Sequence, residues 1–203
     1  MRINLPTWLT LFRVMLLPVM VVVFYLPFRG HNLTAAVVFL LAGFTDWLDG
    51  YLARRLNQTS AFGAFLDPVA DKLMVAVTLF LLVESHRSST DGPLGNWSGI
   101  LMAVTAAIIV GREISVSALR EWMAQIGEHG KVKVAFIGKV KTVAQIIALV
   151  VLLLQHDAET LRLYHIGEAL LVVAGVLTIW SGLGYLRAAW PSLRDDRRAR
   201  EDT

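Results

Sequence analysis

Six apolar runs divide the chain, and several fall short of a membrane's thickness because charged residues occupy their terminal turns. The runs extend from about Trp8 to Phe28, from near Leu33 onward, up to near Val83, from Gly92 to Gly111, from Thr142 to near Leu154, and from Ala169 to Leu186. None alternates as a half-buried strand would. A helix satisfies its own backbone polar groups in lipid, so helices are the reading. Composition agrees. Hydrophobic residues make up 56% and charged residues 17%, against roughly 45–50% and about 25% in soluble domains. The excess apolar surface must face lipid. With no cysteine in the chain, a disulfide framework, a thiolate nucleophile, an iron–sulfur cluster and cysteine zinc sites are excluded. Arg13 interrupts the first run and no small-residue cleavage site follows, so the N-terminus does not read as a cleaved signal peptide. The expected fold is an all-α integral membrane protein of six transmembrane helices. Residues 1–190 would form the membrane domain and residues 191–203 a charged cytoplasmic tail.

The uncharged lengths locate a polar region. The second run has 13 residues, Leu33 to Thr45, before Asp46; the third has 11, Leu73 to Val83, after Lys72; the fifth has 14, Thr142 to Gln155, after Lys141. At 1.5 Å per residue, a helix of that length covers only ~20 Å of a ~30 Å hydrocarbon core. The missing turns carry Asp46 and Asp49, then Asp67, Asp71 and Lys72, then Lys139 and Lys141; the fourth run continues into Arg112 and Glu113. Six crossings place all these ends, with Thr10 and Arg13, on one face of the membrane. Charges at depth face water or a bundle interior, so a polar cavity sunk roughly 10 Å into that leaflet is expected. Of 19 Lys and Arg residues, only Arg29, Arg87 and Arg162 fall in the opposite loops. Positive residues mark the cytoplasmic side, so both termini and the cavity are expected there.

Asp46 and Asp49 stand at i, i+3 on one helix, and Gly50 and Ala53 keep that region narrow. Asp67 and Asp71 stand at i, i+4 on the next helix. A short connection makes the two helices antiparallel neighbours, so four carboxylates converge. Their mutual repulsion calls for compensation, and a hard divalent cation such as Mg²⁺, Mn²⁺ or Ca²⁺ suits an all-oxygen donor set. Gly50, Ala53 and Gly63 would let a bulky ligand approach the backbone. Arg54 adds a forked donor suited to phosphate oxygens. Inter-helix salt bridges are the bland alternative; four aspartates on two adjacent helices, with small residues between them, argue against it.

At every motif position, the run from Asp46 to Asp71 resembles the signature of the CDP-alcohol phosphotransferases, D-x2-D-G-x2-A-R-x8-G-x3-D-x3-D, spread over 26 positions. The stretches Asn4 to Arg13, Asp67 to Lys72, Gly111 to Glu113 and Gly138 to Thr142 are similar to the bacterial branch of that family that makes phosphatidylglycerophosphate. The resemblance implies six membrane helices, a homodimer in the bacterial inner membrane, and two divalent ions, Mg²⁺ or Mn²⁺. It implies Asp46, Asp49, Asp67 and Asp71 as metal ligands and Asp71 as general base. Gly50, Ala53, Arg54, Thr59 and Gly63 would line the CDP-diacylglycerol site, with Thr10 and Arg13 as further phosphate contacts.

A second basic set, Arg112, Arg120, Lys139 and Lys141, borders the same expected cavity. An anionic acceptor such as sn-glycerol 3-phosphate needs such counter-charge; choline or ethanolamine does not. Lys131 and Lys133 read as ordinary positive-inside charge. Gly138-Lys139 is followed by Val140 rather than Ser or Thr, so there is no phosphate-binding P-loop. The five histidines are scattered. The expected reaction is phosphatidyl transfer from CDP-diacylglycerol to sn-glycerol 3-phosphate, releasing CMP, with membrane lipids as surroundings and no nucleic-acid partner. Two other readings stay open: a synthase of the same family using serine or inositol phosphate, and a divalent-cation transporter, since intramembrane carboxylates also mark ion pathways.

Overall fold

The computed structural model describes residues 5–56, 61–87, 96–127, 136–154 and 161–201. Six helices account for nearly all of them: α1 Leu5–Tyr25, α2 His31–Leu56, α3 Ala61–Arg87, α4 Asn96–Gln125, α5 Phe136–Leu154 and α6 Leu161–Glu201. Each apolar run lies within or overlaps one helix, and the charged ends are helical too. The first helix stops three residues before Phe28. Pro27 has no N–H to add to its hydrogen-bond ladder, and Gly30 adopts a φ of +86° at the turn into α2, a conformation glycine enters without steric cost. α4 runs well past Gly111 to Gln125, because Arg112 and Glu113 are held inside the bundle by partners on other helices. α6 continues without a break through Pro191 to Glu201.

Among the described residues, four helices contain stretches long and apolar enough to cross a membrane: Thr7–Tyr25, His31–Ala53, Ser98–Gln125 and His165–Pro191. In α5 the apolar stretch Val140–Leu154 is shorter, and α3 carries Asp67, Asp71 and Lys72 in its first half. The outer surface fits an integral membrane protein. Trp8, Met15, Phe65, Phe80 and Trp180 all point outward, with Phe65 and Trp180 each 69% exposed. A water-facing surface of that kind would be an aggregation liability.

The helices close into a ring. α1 packs on α2, α2 on α5, α5 on α6, α6 on α4, α4 on α3, and α3 back on α1. Met20, Leu79, Ile109, Leu149, Leu153 and Leu171 fill its core. Small residues on α6 permit close packing. A Cβ at Gly167 would lie 2.9 Å from Leu152 Cγ on α5, and one at Gly175 would lie 2.9 Å from Thr105 Cγ2 on α4. Two buried hydroxyls are satisfied locally: Thr45 donates to the Ala42 carbonyl at 2.8 Å and Thr78 to that of Met74 at 2.8 Å.

Candidate active site

Polar side chains from all six helices meet at one end of the ring. α1 contributes Thr10 and Arg13, both almost fully buried. The two lie three residues apart, on one face of the helix, and that face turns toward α2 and α3. Arg13 Nη1 sits 2.6 Å from Asp46 Oδ1, and Nη2 donates to Asp49. Thr10 Oγ1 donates to Asp67 Oδ1 at 2.5 Å. One turn of α1 thus bridges three of the four aspartates. Asp49 is buried and lies within electrostatic reach of Asp46 and Asp67; Asp71 lies within reach of Asp46, Arg13, Lys72 and Glu113. Asp71 is accessible and lines a cavity of about 290 Å³ together with Arg13, Lys72 and Glu113. The remaining wall is largely apolar, from Phe39, Phe44, Met74 and Ile146. Lys72 donates to Ser117 on α4.

Pro68 follows Asp67 directly and supplies no N–H, so the Ala64 carbonyl loses its helical donor inside this segment. Gly63, one turn before Asp67, is buried. Gly50 and Ala53 are half-buried on α2. Thr59 lies outside the described residues, as do the side chains of Arg54 and Lys139 and the whole of Lys131 and Lys133.

A second polar group reaches the cavity through Glu113. Glu113 accepts from Lys141, and Arg112 Nη1 lies 3.5 Å from the same oxygen. Lys141 is buried and also lies within electrostatic reach of Asp71. Arg112 Nη2 donates to Ser181 Oγ at 2.8 Å, and its guanidinium carbon stands 5.4 Å from the centre of the Tyr185 ring. Arg120 is exposed, two turns further along α4. Arg112 and Lys141, which sequence spacing groups together, are therefore joined through Glu113. Sequence reasoning does not find Ser117, Ser181 or Tyr185, because single polar residues in an apolar helix carry no periodic signal. Glu113 was legible only as the charge beside Arg112.

In chemistry the donor set of α2 and α3 fits a hard divalent cation. It consists of carboxylate oxygens without nitrogen or sulfur ligands, and the one guanidinium in direct contact with it among the described residues leaves it anionic. Among the described residues no three acidic or histidine side chains close on a common point; Arg13 and Thr10 lie between the carboxylates instead. Arg13, Arg112 and Lys141 place positive charge around this end, and a hydroxyl proton would find an acceptor in Asp71.

A family model described as CDP-alcohol phosphatidyltransferase matches residues 3–180. The chain is 52% identical over 189 residues to a protein of Sodalis glossinidius (strain morsitans) named CDP-diacylglycerol--glycerol-3-phosphate 3-phosphatidyltransferase, covering 93% of this chain and 96% of the relative. It is 50% identical over 196 residues to a protein of the same name from Pseudomonas fluorescens, covering 96% and 94%. A third relative of that name, from Salmonella choleraesuis (strain SC-B67), is 49% identical over 195 residues and is covered completely. With the family signature present at each position and the family model spanning nearly the whole sequence, the chain belongs to the CDP-alcohol phosphatidyltransferase family.

Proposed function

We propose that the protein transfers the phosphatidyl group of CDP-diacylglycerol to sn-glycerol 3-phosphate, giving phosphatidylglycerol phosphate and CMP. The observation that carries this reading is the likeness, over nearly the full chain and at about half of all positions, to proteins named for that reaction. The geometry supports it. An accessible carboxylate, Asp71, lines the cavity, and a separate basic group, Arg112 with Lys141, stands behind its wall on Glu113.

In this reading all six helices cross a bacterial inner membrane, with the termini and the site on the cytoplasmic side, and residues 191–203 form a charged tail. The diacyl chains stay in lipid while the nucleotide and the acceptor enter from water. The acceptor's primary hydroxyl attacks the phosphorus that bears diacylglycerol, Asp71 takes the hydroxyl proton, and the bond to CMP breaks. Arg13 and Thr10, with Gly50, Ala53, Arg54, Thr59 and Gly63, bind the donor. Arg112, Arg120, Lys139 and Lys141 bind the acceptor phosphate. Asp46, Asp49, Asp67 and Asp71 would hold two Mg²⁺ or Mn²⁺ ions, which when bound would offset the pyrophosphate's charge. The working unit is a homodimer.

Purified protein given CDP-diacylglycerol is tested with glycerol 3-phosphate, serine, inositol phosphate and phosphatidylglycerol in turn. CMP release is expected with glycerol 3-phosphate alone; release with serine or inositol phosphate instead would move the protein to another branch of its family. Exhaustive chelation is expected to stop turnover, and Mg²⁺ or Mn²⁺ to restore it. Undiminished turnover after chelation would return the aspartates to a purely structural role.

A further inference from the structure

On α4, Arg112 is held from three sides by one face of α6. Ser181 accepts from Nη2 at 2.8 Å. The Ser181 hydroxyl spends its own proton on the Thr178 carbonyl at 3.1 Å, which leaves its lone pairs toward the guanidinium. Tyr185 lies with its ring against the guanidinium, 5.4 Å from centre to Cζ. Between them Gly182 keeps the space open, since a Cβ there would lie 3.2 Å from Arg112 Cγ and 3.7 Å from Nε. Ser181 and Tyr185 are both buried, at 9% and 8% exposure, so the cradle sits inside the bundle. Their spacing, 181, 182 and 185, puts all three on one stripe of the helix. The Nη1 edge turns toward the Glu113 oxygen that Lys141 also binds, 3.5 Å away, and Glu113 lines the cavity.

We propose that Ser181, Gly182 and Tyr185 are positioning residues that hold the Nη1 edge of Arg112 against Glu113 in the cavity wall and thereby set the affinity for a phosphate-bearing acceptor. An unsupported arginine at this place would have rotamers to lose on binding; a cradled one has lost them already. α6 therefore takes part in acceptor recognition without touching the acceptor. This inference rests on the reading of the reaction as transfer to glycerol 3-phosphate.

The test is steady-state kinetics of the full chain in mixed micelles, varying each substrate in turn. Ser181→Ala and Tyr185→Leu are each expected to raise KM for glycerol 3-phosphate about threefold to tenfold, the scale of one hydrogen bond or one cation–π contact. KM for CDP-diacylglycerol should stay within twofold, which also shows that the variants fold. Tyr185→Phe keeps the ring and is expected to restore the parent's KM. In an Arg112→Ala background, Ser181→Ala should add nothing, because its effect runs through the guanidinium. Unchanged acceptor KM in Ser181→Ala, equal losses for both substrates, or full additivity with Arg112→Ala would each overturn the inference while leaving the reaction in place. A parent enzyme that releases no CMP with glycerol 3-phosphate would overturn the reaction and this inference together.

Discussion

Arg13 and Asp71 show how two charges at one end of a bundle can have opposite tasks. Arg13 is 1% exposed and bound to two aspartates, so its removal leaves Asp49 buried without its counter-charge. Breaking a buried pair from one side typically costs about 3–5 kcal/mol. Arg13→Ala is therefore expected to lower the melting temperature in detergent markedly, and the double variant Arg13→Ala, Asp49→Ala to recover part of the loss. A melting temperature like the parent's would show that the pair contributes no stability. Asp71 makes no hydrogen bond or ion pair among the described residues and opens onto the cavity. Asp71→Asn should leave the fold and donor binding largely intact while turnover falls by ~10²–10⁴-fold, the usual cost of losing a general base. Turnover near the parent's in the purified variant would remove Asp71 from the chemistry.

Contacts between helices here are set by small residues as much as by large ones. At Gly167, α6 meets Leu152 and Val151 of α5, with a Cβ position only 2.9 Å and 3.1 Å from their side chains. Leu152 is itself buried and cannot swing away freely. Overpacking of a filled core costs about 1–3 kcal/mol, so Gly167→Val should destabilise by that amount in thermal melts. The companion change Leu152→Ala should relieve it. Gly167 stands near the end of the bundle opposite the aspartates, beside Glu168, which accepts from Ser98. KM for both substrates should therefore hold in the folded fraction. Destabilisation that Leu152→Ala fails to relieve would mean that the close approach is not what limits this position.

For the whole molecule, orientation is the property that the ring of helices leaves for the membrane to decide. The chain has no cysteine, so single cysteines can report on sidedness without background. Arg120→Cys, exposed beyond the polar end, should react with an impermeant maleimide only in inside-out vesicles; Arg29→Cys, exposed in the turn between α1 and α2, only in right-side-out cells. Labelling of both from one side would contradict six crossings, because the two positions lie beyond opposite ends of the bundle.

Membrane character, the positions of the helices and the clustering of charge at one end were all legible in the sequence. These features depend on hydropathy and helical spacing, which act locally and are read one segment at a time. Family membership was legible for a related reason: the Asp46–Asp71 signature lies in one continuous stretch. Pairing was not legible. Patterning alone allows many orders of six helices around a ring; Gly167, Gly175 and Gly182 let α6 come close to α5 and α4, one part of the order found here. That order decides that Arg13 faces Asp46 and Asp49, that Glu113 joins Lys141 to Arg112, and that Ser181 and Tyr185 cradle Arg112. An ion pair or a cation–π contact needs two side chains within a few ångströms, and for residues 36 or 69 positions apart in the chain only tertiary packing supplies that distance.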